Sequence, residues 1–284
     1  MKRALITSIL FTLAALLPFN LDAQGQIFTR KERLKDLTAK TVKVVMTGDE
    51  TLDECLKQSV TAAWTLSPFE FCTMDEFQKI KTSDKFYFLI VVKGQQRRES
   101  EPGIDLLTFV KGGEGAAKSI DDMFEVVTFP LRSAVDPSGR EFLFLPAFLT
   151  IMQEHAQNLT NSEVKAYSSL GASDSKQLRT KQIYFNKEDM APQVDDKVLA
   201  SFDEDTYVKD DDEDVDDIFE EGTFNAVVSY VVAPTEPVNG SVCYKMLIGA
   251  DNHKLYWYKK HKISPRQGAG FLESDLKSIK FLRK

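Results

Sequence analysis

The sequence predicts an α/β (or α+β) protein: a mixed sheet from two weakly similar strand–helix–strand halves, the second half β-rich. Three observations carry this. Short β-branched runs alternate with stretches of helical periodicity. The run Lys85–Lys93 (KFYFLIVVK) is continuously apolar at its centre, as in a strand buried on both faces. A long stretch, Phe69–Val92, has an ungapped echo at Tyr207–Tyr230.

In chain order, residues 24–40 are polar, with a helical stretch at Lys31–Ala39. Thr41–Met46 (TVKVVM) is a strand closed by Gly48-Asp49. Thr51 and Glu54 form a capping box, after which Leu52, Leu56, Val60 and Ala63 mark one helical face. Phe69–Thr73 is the next strand, Met74–Lys81 a short helix and Lys85–Lys93 the buried strand. Ile104–Lys111 and Met123–Leu131 follow as antiparallel strands, and Asp136–Gly139 is a turn with Pro137 second.

Two helices come next. Pro146 suits the first turn of one, whose face is Phe148, Ile151, Met152, His155 and Leu159. Thr160 and Glu163 cap the other, with Val164, Tyr167 and Leu170 as its stripe. These boundaries divide the chain into a leader (1–23), an α/β half (24–170), a linker loop (171–181) and a second half (182–284), the halves packed as one unit. The second half carries strands at Gln182–Asn186, Thr223–Val232, Ser241–Ile248 and Lys254–Ile263, then a closing helical turn from Ser274.

In the internal repeat Phe69 faces Tyr207, Phe77 faces Val215, Ile80 faces Ile218 and Phe86 faces Phe224. Each copy reads as an aromatic strand, an acidic helix start suited to the helix dipole, a short helix and a buried strand. Two such units predict a pseudo-duplicated layer structure. This string resembles units of the TolB amino-terminal domain and is similar to the core of the curli-secretion lipoprotein family. The likeness spans residues 41–111 and 182–232, and implies an exported envelope module acting through protein–protein contacts. The chain departs from the lipoproteins in having no lipidation cysteine, and no functional residue carries across.

The amino terminus carries an address. Lys2 and Arg3 precede an apolar run, Ala4–Leu17, broken by Pro18, and Leu21-Asp22-Ala23 offers a small residue for cleavage. This is the pattern of a secretory signal peptide cleaved after Ala23, with a run too short to span a membrane. The expectation is a soluble exported protein, periplasmic or outer-envelope associated in a Gram-negative host, with no transmembrane anchor after cleavage. Three cysteines among 284 residues are too few for a disulfide scaffold. A Cys55–Cys72 bridge requires the first long helix to pack on the second strand.

The net charge of −7 argues against nucleic acid as a partner. Charge is nevertheless polarised: residues 203–221 hold 12 acids and one lysine, whereas residues 245–284 hold 10 basic and 3 acidic side chains. Either these regions pack together or one of them faces a partner.

Chemistry-bearing motifs are sparse. There is no G-x-S-x-G elbow, no C-x-x-C and no H-E-x-x-H. His155 reads as a satisfied core histidine, His253 lies in a hairpin turn and His261 at a basic strand end. Asp210, Asp212, Asp214 and Asp216 mimic alternate positions of a calcium loop, but Val215 stands where that loop needs glycine. The run 112–115 (GGEG) lacks the phosphate-cradling patterns, so no nucleotide is expected. No catalytic residue, metal site or cofactor is predicted, and the chain is read as a non-enzyme.

The candidate binding surface lies on the late strand. Leu255, Trp257 and Ile263 alternate onto a core face; Lys254, Tyr256, Tyr258, Lys260 and Lys262 alternate onto the other, exposed one. The functional expectation is an exported envelope protein that binds an unknown protein partner or itself. The alternative is a secreted enzyme or glycan-binding protein whose site forms only in three dimensions. A pocket of converging titratable groups would favour that alternative, and a flat Tyr/Lys patch the first reading.

Overall fold

A computed structural model of the chain describes residues 30–162, 170–171, 175–199 and 201–283. The predicted leader and the helix expected to follow Thr160 and Glu163 lie outside them, Leu170 excepted. The first half supplies α1 (Arg30–Arg33), β1 (Thr41–Val45), α2 (Glu50–Ala63), β2 (Phe69–Cys72), α3 (Met74–Ile80), β3 (Phe86–Gly94), β4 (Ile104–Lys111), β5 (Phe124–Ser133) and α4 (Arg140–Asn161). The second supplies β6 (Gln182–Asn186), α5 (Asp196–Leu199), β7 (Thr206–Lys209), α6 (Asp212–Glu220), β8 (Ala226–Val232), β9 (Val242–Gly249), β10 (Leu255–Lys262) and α7 (Glu273–Leu282).

The architecture is α/β with two mixed five-stranded sheets. Their orders are β2-β1-β3-β4-β5 and β7-β6-β8-β9-β10. In each, the first three strands in sequence are mutually parallel and the last two are added antiparallel. The halves thus share one topology, and the repeat read from Phe69–Val92 and Tyr207–Tyr230 matches β2-α3-β3 with β7-α6-β8. Val215 is fully buried, as a core residue opening a helix must be.

Local chemistry sets the helix starts. The Asp49 carboxylate accepts from Thr51 N and Leu52 N at 3.1 Å, so α2 starts at Glu50. This corrects the expected Thr51–Glu54 box: Gly48, at φ 90°, turns the chain one step earlier and hands the capping role to Asp49. At α3, Thr73 and Glu76 form a reciprocal capping box. Helix α4 begins at Arg140, not near Pro146, which sits inside it. Eleven of its 22 residues are buried. That burial against both sheets outweighs the backbone bond a mid-helix proline forfeits.

The packing order is α3, first sheet, a central helical layer of α2, α4 and α6, second sheet, then α7. Val42, Val44, Tyr87 and Leu89 face α2 and α4, while Val45, Phe88 and Ile90 turn outward to Phe77 of α3. In the second sheet Val228, Tyr230 and Ile248 face the central layer, and Val227, Leu247 and Trp257 face α7. The face that carries α2 in the first half corresponds to the one that carries α5 in the second. The halves therefore meet through unlike faces, with α4 between them. Cys55 and Cys72 serve opposite faces of the first sheet, and all three cysteines are free thiols.

Candidate ligand-binding site

Open α/β sheets usually hold ligands beyond the carboxyl ends of their strands, where strand order reverses. Here both such crevices are filled by the chain's own ions. Beyond β1, the Arg132 guanidinium reaches Asp105 at 3.0 Å, Glu141 at 3.1 Å and Asp49 at 3.2 Å. Beyond β6, Arg140 pairs with Asp216 at 2.8 Å and Asp189 at 3.6 Å. Asp189 also accepts from Ser229 Oγ at 2.6 Å, and Ser229 Oγ accepts from Asn186 N at 2.9 Å. Burial pushes the Asp189 carboxyl up, against the pull of Arg140. Arg140 comes from α4 of the first half, so this cluster ties the halves together.

Space opens elsewhere, at the side of the central layer. A cavity of about 440 Å3 lies between β5, the C-terminal part of α4 and the inner face of β9 and β10. Consecutive residues Glu125–Thr128 and then Pro130 line it, so it meets the first sheet edge-on. From the second sheet it sees Tyr244, Tyr258 and Lys260; Tyr244 and Lys260 are cross-strand partners and Tyr258 is two residues from Lys260, so this sheet is met face-on. Its volume lies within the range of ordinary small-ligand pockets.

The β5 edge is guarded against strand addition. It carries two bulges against β4 and Pro130, and Arg30 donates to the carbonyl oxygens of Glu125 (2.6 Å) and Val126 (3.4 Å). Bulges, proline and a capping cation are the devices by which edges resist pairing. A compact ligand suits this cavity better than an added strand.

Four polar side chains at the cavity, Tyr244, Tyr258, His155 and Lys260, have no hydrogen bond or ion pair among the described residues. The rings of Tyr244 and Tyr258 lie 6.5 Å apart, and burial raises both phenol pKa values. Neither hydroxyl bonds a described residue. Lys260 Nζ sits 5.9 Å over the Tyr244 ring and forms no ion pair among the described residues. His155, half-buried, makes no hydrogen bond with a described residue. Burial, with Arg30 adding repulsion, pushes its pKa down to about 4, so the ring is neutral at pH 7. This corrects the expectation of a satisfied core histidine.

The late-strand stripe is only partly realised. The register of β10 slips between Leu255 and Trp257, making Tyr256 the extra residue of a bulge. Tyr256 and Trp257 then both face α7, and Tyr256 is 1% exposed. Its hydroxyl accepts from Asn252 Nδ2 at 2.9 Å, and its ring lies so close over Gly249 that a Cβ there would stand 2.9 Å away. Tyr256 is therefore not part of an exposed face. Tyr258 and Lys260 reach the cavity, Lys262 is exposed beyond it, and Lys254 precedes the strand. Lys259, on the opposite face, pairs with Asp275 at 2.6 Å. Asp275 also binds the buried Lys245; burial opposes its charge, but the two ammonium groups hold its carboxyl below the usual range.

The structure adds Tyr244, Thr128 and Arg30 to what the sequence singled out, and brings to the cavity His155, which the sequence placed in the core. Tyr244 could have been found by pairing the two late strands, which sets it opposite Lys260. Arg30 and Thr128 carry no local signal. The other histidines lie apart: His253 stacks on Phe219 at 5.4 Å, and the His261 Nε2 lies 2.9 Å from the Gly268 carbonyl oxygen. Part of the acidic run is paired: Lys187 with Asp210, Lys209 with Asp214, Arg140 with Asp216 and Arg283 with Asp203. The Arg283 pair draws the carboxyl-terminal region onto the start of that run.

No family model matches the chain, and no curated protein or solved structure is detectably similar to it. Among the described residues no helix is long and apolar enough to cross a membrane.

Proposed function

We propose that this is an exported, non-enzymatic binding protein of the cell envelope that holds a compact ligand in the cavity between its two sheets. One observation carries the binding reading: Tyr244, Tyr258, a neutral His155 and Lys260 line one cavity, and none of their polar groups hydrogen-bonds or ion-pairs with a described residue. Polar groups left this way gain most from a ligand that satisfies them. The arrangement favours the site-in-three-dimensions alternative over a flat docking stripe, because burial of Tyr256 divides the stripe. Binding is preferred to catalysis because, among the described residues, no nucleophile hydrogen-bonds His155. Export rests on the Lys2-Arg3 start, the apolar run and Ala23.

Thermal melting against a panel of envelope sugars, short peptides and lipids tests this reading. A ligand at 100 times its dissociation constant should add about 2.7 kcal/mol to the native state. Lys260→Trp, which sets an indole at the exposed cavity mouth, should abolish the rise in Tm without changing the unliganded Tm appreciably. A ligand whose effect survives Lys260→Trp would place binding elsewhere.

A further inference from the structure

We propose that the ligand is an acidic sugar, its ring laid against Tyr244 and Tyr258 and its carboxylate on Lys260. This rests on the cavity being a binding site and names what it takes.

Three features of the cavity point the same way. The first is shape: a pocket of about 440 Å3 bounded by two aromatic rings on one side and a guarded strand edge on the other admits one or two sugar rings, not a chain. The flat C–H face of a sugar packs on tyrosine, which offers an apolar body beside a polar tip.

The second is the kind of hydrogen-bonding group present. A neutral imidazole has one donor and one acceptor nitrogen, and each phenol both donates and accepts. His155, Tyr244 and Tyr258 therefore offer donors and acceptors together. Sugar hydroxyls match that mixture. A hydroxyl-free aromatic acid would leave these groups unpaired, at a cost in affinity.

The third is charge. Lys260 has no acidic partner among the described residues, while its neighbour Lys259 is paired with Asp275. Arg30 adds a second cation on the first-sheet side, where its guanidinium already holds the carbonyl groups of Glu125 and Val126. Glu125 is the acid among the described residues lining the cavity, and it is exposed on the β5 edge. A ligand with its carboxylate towards Lys260 and its hydroxyls towards β5 is complementary at both ends.

Calorimetric titration with glucuronate, glucose and benzoate separates these elements. Glucuronate should bind tightest. Lys260→Met should weaken it about tenfold, the effect expected when a charge-assisted hydrogen bond is lost, and leave glucose unchanged. Raised ionic strength should weaken glucuronate alone. Tyr258→Leu should weaken both sugars, with circular dichroism confirming that the variant folds. Glucose binding as tightly as glucuronate would overturn the acidic part, and benzoate matching glucuronate would overturn the sugar. If none of the three binds, the acidic-sugar assignment is wrong. A Lys260→Trp-sensitive rise in Tm with some other ligand class would then keep the binding-protein reading, and silence in that panel as well would end both.

Discussion

His155 holds a neutral imidazole where a ligand would meet it, and that neutrality has a thermodynamic consequence. Its ordinary pKa of 6.5 falls to about 4 in the fold, through burial first and the Arg30 charge second. The unfolded chain takes up the proton near pH 6.5, whereas the native state resists it down to about pH 4. The stability tied to the neutral ring is thus complete above pH 6.5 and is lost as the pH falls through that window. The size is about 3 kcal/mol. Urea unfolding of the wild type and of His155→Gln should show their difference in unfolding free energy shrinking by about that amount between pH 7 and pH 4. A difference independent of pH would mean that His155 is hydrated like a surface residue. The helical face containing His155 was legible in the sequence. Its place beside a cavity was not, because that depends on a second sheet arriving from a different part of the chain.

At the scale of elements, β10 shows where periodicity informs and where it fails. Alternation of period two places Trp257 in the core, and it is there. It also places Tyr256 outside, which a single bulge reverses. Nothing in the local sequence announces that bulge; it follows from the need to seat Tyr256 over Gly249 and against Asn252. Tyr256→Ala should therefore destabilise as much as Trp257→Ala, by about 3–5 kcal/mol, as deletion of a buried aromatic does. Lys260→Ala should change stability by less than about 0.5 kcal/mol, as exposed substitutions do. Denaturant midpoints of the three variants check this, and a mild Tyr256→Ala would restore the exposed stripe. The same contrast holds for α4. Its apolar face is written in Phe148, Ile151, Met152 and Leu159, but its start lies at Arg140. Pro146 signals a first turn only when packing does not override it.

For the whole molecule, the duplication was readable because apolar positions recur without a gap, Phe77 with Val215 and Ile80 with Ile218. Both sheets repeat one topology. The way the halves meet was not readable. Like faces would give a two-fold arrangement; instead α4 of the first half packs on the face of the second sheet that also carries α6. The outermost helix, α7, turns Ser274, Lys277 and Ser278 to solvent. Placing unlike faces together also leaves the β5 edge beside the face of β9 and β10, and that offset creates the cavity. The charge polarity of the sequence resolves in part within the fold, through Arg283 with Asp203 and Asp205. The offset is proposed as the ligand site. The most direct measurement is a nuclear magnetic resonance titration of the isotopically labelled protein with glucuronate. Amide and ring shifts should concentrate at Glu125–Pro130, His155, Tyr244 and Tyr258–Lys260, and be absent in Lys260→Trp. Shifts gathered instead on the acidic helix α6 or the outer face of α7, with the cavity residues unmoved, would contradict that proposal.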